Sequence, residues 1–211
     1  MKQAALGFRV HSGWAAVVAV GLEKGMPSVL ARERVRLVET FSYTFRQPYH
    51  TGGKLGLAEA REFISQVQAE ARELAYHAIH GLQAELEERG YKLSRSAVLL
   101  ASGRPLPELE KILASHALIH TADGELFRES LLHASARCGI AAVCIKERDL
   151  LDQAAKAFGV PGAKLLARAT ELGRPFGAPW TQDEKFATLA AWLTARSPNR
   201  GGRKAITGKP A

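Results

Sequence analysis

The sequence has little cysteine and no long hydrophobic run. Cys138 and Cys144 are the only cysteines among 211 residues, too few for a disulfide framework or a cysteine-type zinc site. We expect both to be reduced core residues of a cytoplasmic protein. The longest uncharged stretch, Ser12 to Leu22, is too short to span a bilayer. Because Arg9 and His11 also interrupt the Ala-rich beginning, the sequence predicts neither a signal peptide nor membrane insertion.

Acidic residues are scarce relative to basic ones. The chain has 29 Lys and Arg against 21 Asp and Glu, which gives a net charge of +8. A basic surface favours phosphate-bearing partners, although a charge of this size can also serve solubility alone. Five of the positive charges follow Ala195 without an intervening acid, namely Arg196, Arg200, Arg203, Lys204 and Lys209. Such a tail is predicted to be disordered, and it either binds nucleic acid non-specifically or is only solubilising.

The order of the predicted elements is the most informative pattern in the chain. Alternating or continuous apolar runs predict five strands, at 4–10, 14–22, 28–38, 96–101 and 140–145. Apolar residues at helical spacing predict helices at 57–89 and 148–158, and one or two helices within 107–137, punctuated by Thr121-Ala122-Asp123-Gly124. A last helix ends at Arg196, and Thr181 with Glu184 fits a capping box at its start. Residues 39–56 fit no regular element. They predict either an aromatic and basic binding loop or a loop held over the core by its aromatics.

The first predicted strand and the turn after it can be compared with the corresponding segment of a known superfamily. They read Ala5-Leu6-Gly7-Phe8-Arg9-Val10-His11-Ser12-Gly13-Trp14, within the order β-β-β-α-β-α-β-α over about residues 4–160. This order resembles the ribonuclease H-like superfamily, which includes actin-type ATPases, and is interpreted as that of a bacterial-type member. The resemblance implies an α/β fold whose mixed sheet has its first three strands antiparallel and the later ones parallel, with additional C-terminal helices. Enzymes of the superfamily carry a metal-binding Asp on the first strand, whereas this chain has Arg9 and His11 there.

The hairpin turn is the first candidate site. In actin-type and heat-shock-type ATPases, the corresponding turn approaches nucleotide phosphates with small residues and backbone amides. By this resemblance Ser12 and Gly13 could contact a phosphate, and Arg9 with His11 could bind an anion directly. We add Arg104, which follows the fourth strand, because open α/β sheets bind ligands at the carboxyl ends of their strands. Arg128 is a further candidate, since it could line a cleft together with His116 and His120. The alternative is a hairpin whose Arg and His face solvent.

Carboxylates for a two-metal nuclease are the second candidate. Without the first-strand Asp, the only plausible members are Glu108 or Glu110 after the fourth strand and Asp183 or Glu184 at the last helix. These acids are better explained as charges that oppose the helix dipole at helix N-termini.

A histidine pair is the third candidate. His116 and His120 lie four residues apart on one predicted helical face and could share a transition metal. A site needs a third ligand, for which only Glu125 and His133 are candidates, and then only if the chain turns back. The pair could equally line a polar cleft with Arg128 or lie on the helix surface. The sequence therefore assigns neither a metal nor a cofactor.

Three functional hypotheses follow from the sequence. The leading one is a non-catalytic or unconventional ribonuclease H-like domain over 1–160, with a helical extension over 161–196 and a tail over 197–211. It would bind a phosphate-bearing ligand, with nucleic acid favoured by the basic charge. The second is a hydrolase or phosphoryl-transfer enzyme that uses His11, His116 or His120 as acid or base. The third is a protein-interaction scaffold with an exposed apolar patch.

Overall fold

Five strands form one sheet at the centre of the molecule. The structure is a computed structural model that describes residues 1–101 and 105–196. The strands are β1 (Lys2–His11), β2 (Trp14–Glu23), β3 (Met26–Arg36), β4 (Tyr91–Leu100) and β5 (Ala141–Lys146). Their order across the sheet is β3-β2-β1-β4-β5. β1 pairs antiparallel with β2, as β2 does with β3, whereas β1–β4 and β4–β5 are parallel. The predicted ribonuclease H-like mixed sheet is confirmed.

Eight α-helices of the described residues surround the sheet. They are α1 (Tyr43–Arg46), α2 (Pro48–Gly52), α3 (Leu57–Glu88), α4 (Leu109–Leu113), α5 (His116–Arg137), α6 (Leu150–Phe158), α7 (Gly162–Gly173) and α8 (Gln182–Arg196). On one face the apolar side chains of the strands pack against α3 and α5. On the other face α8 packs against β1 and β2 through Val18, Val20, Ala187 and Ala191. The segment predicted as a helical extension thus supplies one of three packed layers.

The register of β3 departs from a regular alternation. Ala19 of β2 pairs with Ala31 but Val20 pairs with Val29, so β3 has one extra residue at this point. The side chains of β3 before and after this bulge therefore alternate in opposite phase. Val29 consequently packs on the α8 side and Val35 on the α3 side. Arg32, Arg34 and Arg36 lie on β3 at the edge of the sheet, as their alternation predicts, where positive charge blocks pairing with another strand.

Three sequence predictions about local structure are wrong. Residues 43–52 form the short helices α1 and α2 instead of an irregular loop, and Pro48 occupies the first turn of α2, where a missing N–H is tolerated. β4 begins at Tyr91, five residues earlier than the predicted start at Ser96. The stretch 107–137 holds two helices, but they are separated at Ala114 and Ser115, and α5 continues without a break through Asp123 and Gly124.

The last helix begins as the sequence predicts. The backbone N–H of Thr181 donates to Glu184 Oε2 at 2.7 Å, and the Asp183 N–H donates to Thr181 Oγ1 at 3.2 Å. This capping box fixes the first turn of α8 and places Asp183 at the carboxyl edge of the sheet. No helix within residues 1–101 and 105–196 has the length and apolar character required to cross a membrane.

Candidate functional site at the carboxyl edge of the sheet

A cleft of about 360 Å³ opens where β1 and β4 end. Its lining residues are Val10, His11, Ser12, Ala101, His120, Thr121, Gly124, Glu125 and Arg128. The hairpin and α5, which are more than 100 residues apart in sequence, therefore face one another across this cleft. The sequence predicts His11, Ser12, His120 and Arg128 as candidate site residues, and the structure places all four on the lining of this cleft.

Arg9 occupies a network of ion pairs beside the cleft. Its Nε and Nη2 donate to the two carboxylate oxygens of Glu147 at 3.0 and 2.7 Å, and its Nη1 donates to Asp183. His11 Nε2 lies 2.9 Å from Asp183 Oδ1. The guanidinium also lies 5.2 Å from the ring centroid of Phe186. Hydrogen bonds to Glu147 raise the pKa of Arg9, so this side chain remains a cation.

The divalent ions implied by the superfamily do not fit this arrangement. Glu147 follows β5 and Asp183 begins α8, so the two carboxylates meet at the carboxyl edge as oxygen ligands would. The charge between them, however, is the Arg9 guanidinium, whose bidentate geometry matches a carboxylate. A divalent ion in the same place would meet both the guanidinium and carboxylate oxygens that already accept hydrogen bonds.

The hairpin turn is covered rather than open. Gly13 is buried with φ +80°, and its carbonyl accepts the Leu37 N–H at 2.9 Å. A Cβ at this position would lie 2.7 Å from Arg46 Cγ. Arg46 Nε in turn donates to the Ser12 carbonyl at 3.1 Å. Gly13 therefore allows Arg46 to lie across the turn, and the phosphate contact expected of Gly13 is replaced by a packing role.

Cations and aromatic rings alternate along the surface next to this turn. The His11 and Trp14 rings stack with their centroids 4.3 Å apart, and Arg34 Cζ lies 3.7 Å from the Trp14 centroid. Arg46 Cζ lies 4.5 Å from the centroid of Phe41. We call these five residues the basic rim. Among residues 1–101 and 105–196, no carboxylate forms an ion pair with Arg34 or Arg46.

Three histidines converge on the other side of the cleft. His50 of α2 joins His116 and His120 of α5, and one ring nitrogen of each lies within 4.8 Å of the others. The Nε2 atoms of His116 and His120 are 3.0 Å apart. The two candidates for a third ligand lie elsewhere, since Glu125 pairs with Arg128 at 3.3 Å and His133 is an exposed residue further along α5.

A buried carboxylate holds the first of these histidines. Asp123 is only 3% exposed. Its Oδ2 lies 2.5 Å from His50 Nδ1, and its Oδ1 accepts the Tyr49 N–H at 2.7 Å. Burial raises the pKa of the Asp123 carboxyl, and the hydrogen bonds from His50 and Tyr49 oppose that change. Asp123 thus fixes α2, and with it the His50 ring, against α5.

Arg128 of α5 lines the cleft beside Gly124 of the same helix. Its Nε donates to the Leu99 carbonyl at the end of β4, 3.1 Å away, and its side chain is 13% exposed. A Cβ on Gly124 would lie 2.6 Å from Arg128 Nη1, so the glycine makes room for this guanidinium. Arg104, the remaining predicted contact, lies outside the described residues and stays a prediction.

Sequence reasoning missed three residues of this region. Glu147 follows β5 directly, and its place at a carboxyl strand end was the available signal. His50 and Asp123 carried no local signal, because they pair with each other across 73 residues of the sequence. Of the four acids considered as metal ligands, Asp183 alone joins the network around Arg9. Glu184 caps α8, Glu110 lies 3.7 Å from the exposed Arg61, and Glu108 precedes α4.

The chain is similar to solved structures but not to characterised sequences. No protein-family model matches it, and a comparison with curated proteins finds no match. Thermus thermophilus RuvC matches with a TM-score of 0.50 and 11% identity over 90% of this chain and 92% of RuvC. T. thermophilus RuvC in complex with Holliday junction substrate matches with a TM-score of 0.52 and 12% identity over 90% and 91%. At such low identity the likeness shows the ribonuclease H-like fold alone.

Proposed function

We propose that this chain is a ribonuclease H-like nucleic-acid-binding protein in which Arg9 has taken the place of the metal-binding carboxylate on the first strand. The observation that carries the proposal is the Arg9 network, in which one guanidinium is bound by both Glu147 and Asp183. With this cation in place, one of the two negative charges is balanced without a divalent ion. Two-metal hydrolysis is therefore not the activity that we assign.

The basic rim supports nucleic acid as the ligand. Exposed cations attract phosphates through charge, and aromatic side chains offer faces on which bases can stack. The exposed Arg34 lies over Trp14, and the half-buried Arg46 lies over Phe41, so cations and aromatic rings occur side by side next to the turn. Since a RuvC structure of the same fold holds a Holliday junction substrate, branched DNA is the first ligand to test. In this proposal His11 and Ser12 contact the ligand, whereas Arg9 pairs with Glu147 and Asp183 and offsets part of their negative charge.

A second candidate function is supported by the cleft itself. His11 and His120 line it together with Arg128, which is the set that a hydrolase or phosphoryl-transfer enzyme would need for proton transfer and charge stabilisation. For a protein-interaction scaffold, Trp180 and Trp192 offer little surface, because they are partly buried against neighbouring helices. Phe41 and Tyr43 are the exposed aromatics that such a patch could use.

Removing the two arginines of the basic rim should weaken nucleic-acid binding. We expect Arg34→Ala/Arg46→Ala to lower affinity several-fold and to reduce the slope of log K against log salt by about 2, one for each lost phosphate contact. Fluorescence anisotropy with a labelled four-way DNA junction, linear duplex DNA, single-stranded DNA and single-stranded RNA measures both quantities.

Two controls define the outcome of this experiment. Arg89→Ala/Arg137→Ala removes the same charge from the opposite edge of the sheet, where α3 and α5 end, and should leave the salt slope nearly unchanged. A chain that ends at Arg196 separates the fold from the basic tail. Equal losses in the two double variants, or loss on truncation alone, would contradict the assignment to the rim. Absence of binding at low salt would overturn the proposed function.

A further inference from the structure

We propose that His50, His116 and His120 bind one divalent transition-metal ion, for which Zn²⁺ is the best fit. Imidazole nitrogens are ligands that Zn²⁺ prefers, and three of them converge here from two different helices. This site is distinct from the Arg9 network, and it does not depend on whether the protein binds nucleic acid.

The distances are close to those of a tetrahedral centre. With Zn–N bonds of about 2.0–2.1 Å, two nitrogen ligands of a tetrahedral ion lie about 3.3 Å apart. The Nε2 atoms of His116 and His120 are 3.0 Å apart, and the whole set lies within 4.8 Å. The centroid of the His50 ring is 4.4 Å from that of His120 and 5.5 Å from that of His116. Because His116 and His120 are exposed, small changes in their side-chain torsions can close the remaining gap.

Asp123 provides an independent observation that points to a metal. Histidines that bind metals usually donate their other ring N–H to a carboxylate or carbonyl, which fixes the tautomer and the ring orientation. His50 has this partner, since its Nδ1 is held by the buried Asp123 carboxylate. With the proton on Nδ1, Nε2 is the His50 nitrogen that carries a lone pair for a metal ion. A hydrogen bond between His116 and His120 explains their contact, but it does not explain a third histidine oriented by a buried acid.

The number of ligands indicates a centre with an open position. Within residues 1–101 and 105–196, the group contains three ligand residues. Structural zinc sites usually have four protein ligands, whereas sites with three leave the fourth position to water or substrate. His120 also lines the cleft at the carboxyl edge, so a metal bound here borders that cleft. At the open position the metal would bind water or an oxyanion.

Titration of the metal-free, untagged full-length chain with Co²⁺ tests the site, because tetrahedral Co²⁺ has a characteristic visible spectrum. We expect one Co²⁺ per chain with this spectrum and its displacement by one equivalent of Zn²⁺. His116→Ala/His120→Ala should abolish the signal. Asp123→Asn should weaken affinity by about 10–100-fold, as expected for loss of an outer hydrogen-bond partner of a ligand.

His133→Ala is the matched control, because it removes an exposed histidine from the same helix and should bind Co²⁺ like the wild type. The two exposed ligand positions allow the double variant to fold, which its circular dichroism spectrum verifies. A wild-type chain without the tetrahedral spectrum would overturn the proposal. So would a folded His116→Ala/His120→Ala variant that binds Co²⁺ as tightly as the wild type.

Discussion

Replacement of Arg9 by alanine should lower the free energy of unfolding by about 2–3 kcal/mol. Removing one partner of a fully buried ion pair typically costs about 3–5 kcal/mol, because the remaining charge is left buried without compensation. Here Glu147 retains 35% exposure, and Arg9 and Asp183 retain 19%, so water screens part of the loss. Urea unfolding monitored by circular dichroism measures the change.

Arg72 provides a matched control for the Arg9 variant. Arg72 forms the same bidentate pair with Glu129, with Nε and Nη2 donating at 3.0 and 2.6 Å, but its side chain and that of Glu129 are 34% and 41% exposed. Arg72→Ala should therefore cost only about 0.2–1 kcal/mol. Equal losses in the two variants would show that the Arg9 network has no special role at the carboxyl edge.

Gly7→Ala should destabilise the protein by about 3 kcal/mol or more, or prevent folding, because overpacking typically costs about 1–3 kcal/mol and here meets a rigid backbone. Gly7 lies in the middle of β1 where α8 crosses it. A Cβ there would lie 2.0 Å from the Ala187 carbonyl oxygen and 2.8 Å from the Ala191 nitrogen, and neither atom can move without displacing α8. Thermal and urea unfolding measure the effect.

The same substitution at Gly81 should increase the free energy of unfolding instead of lowering it. Gly81 lies within α3, and a Cβ there meets no atom within 4 Å. Gly81→Ala should stabilise the helix by roughly 0.5–1 kcal/mol through its higher helix propensity. A loss below 1 kcal/mol for Gly7→Ala would contradict the close packing of α8 on β1.

The element order could be predicted because its signals are local. Apolar runs and helical spacing identified all five strands and the long α3, and Thr181 with Glu184 marked the start of α8. Residues 43–52 were missed because helices of one turn are too short to show a period. The continuity of α5 was missed because Gly124 normally breaks a helix, and its partner Arg128 becomes visible only in three dimensions.

The candidate site could be predicted only where it depends on topology. Carboxyl strand ends meet at one edge of an open sheet, which is why His11 and Ser12 at the end of β1 lie beside Ala101 at the end of β4 in one cleft. The role of Arg9 was not predictable in this way, since it depends on the side-chain contacts with Glu147 and Asp183. His50 was treated as part of an aromatic loop, and its pairing with Asp123 requires the fold to bring distant segments together.

Thermal unfolding of Arg9→Asp with and without Mg²⁺ tests most directly whether the Arg9 charge replaces a divalent ion. Mg²⁺ prefers oxygen ligands, so it distinguishes the carboxyl edge from the three histidines. We predict that Mg²⁺ leaves the wild type unchanged but stabilises Arg9→Asp, by about 2.7 kcal/mol at a hundredfold excess over its Kd. Arg9→Asp/Glu147→Gln should lose most of this response. Equal stabilisation of the wild type, or no response of folded Arg9→Asp to Mg²⁺, would contradict the proposed replacement.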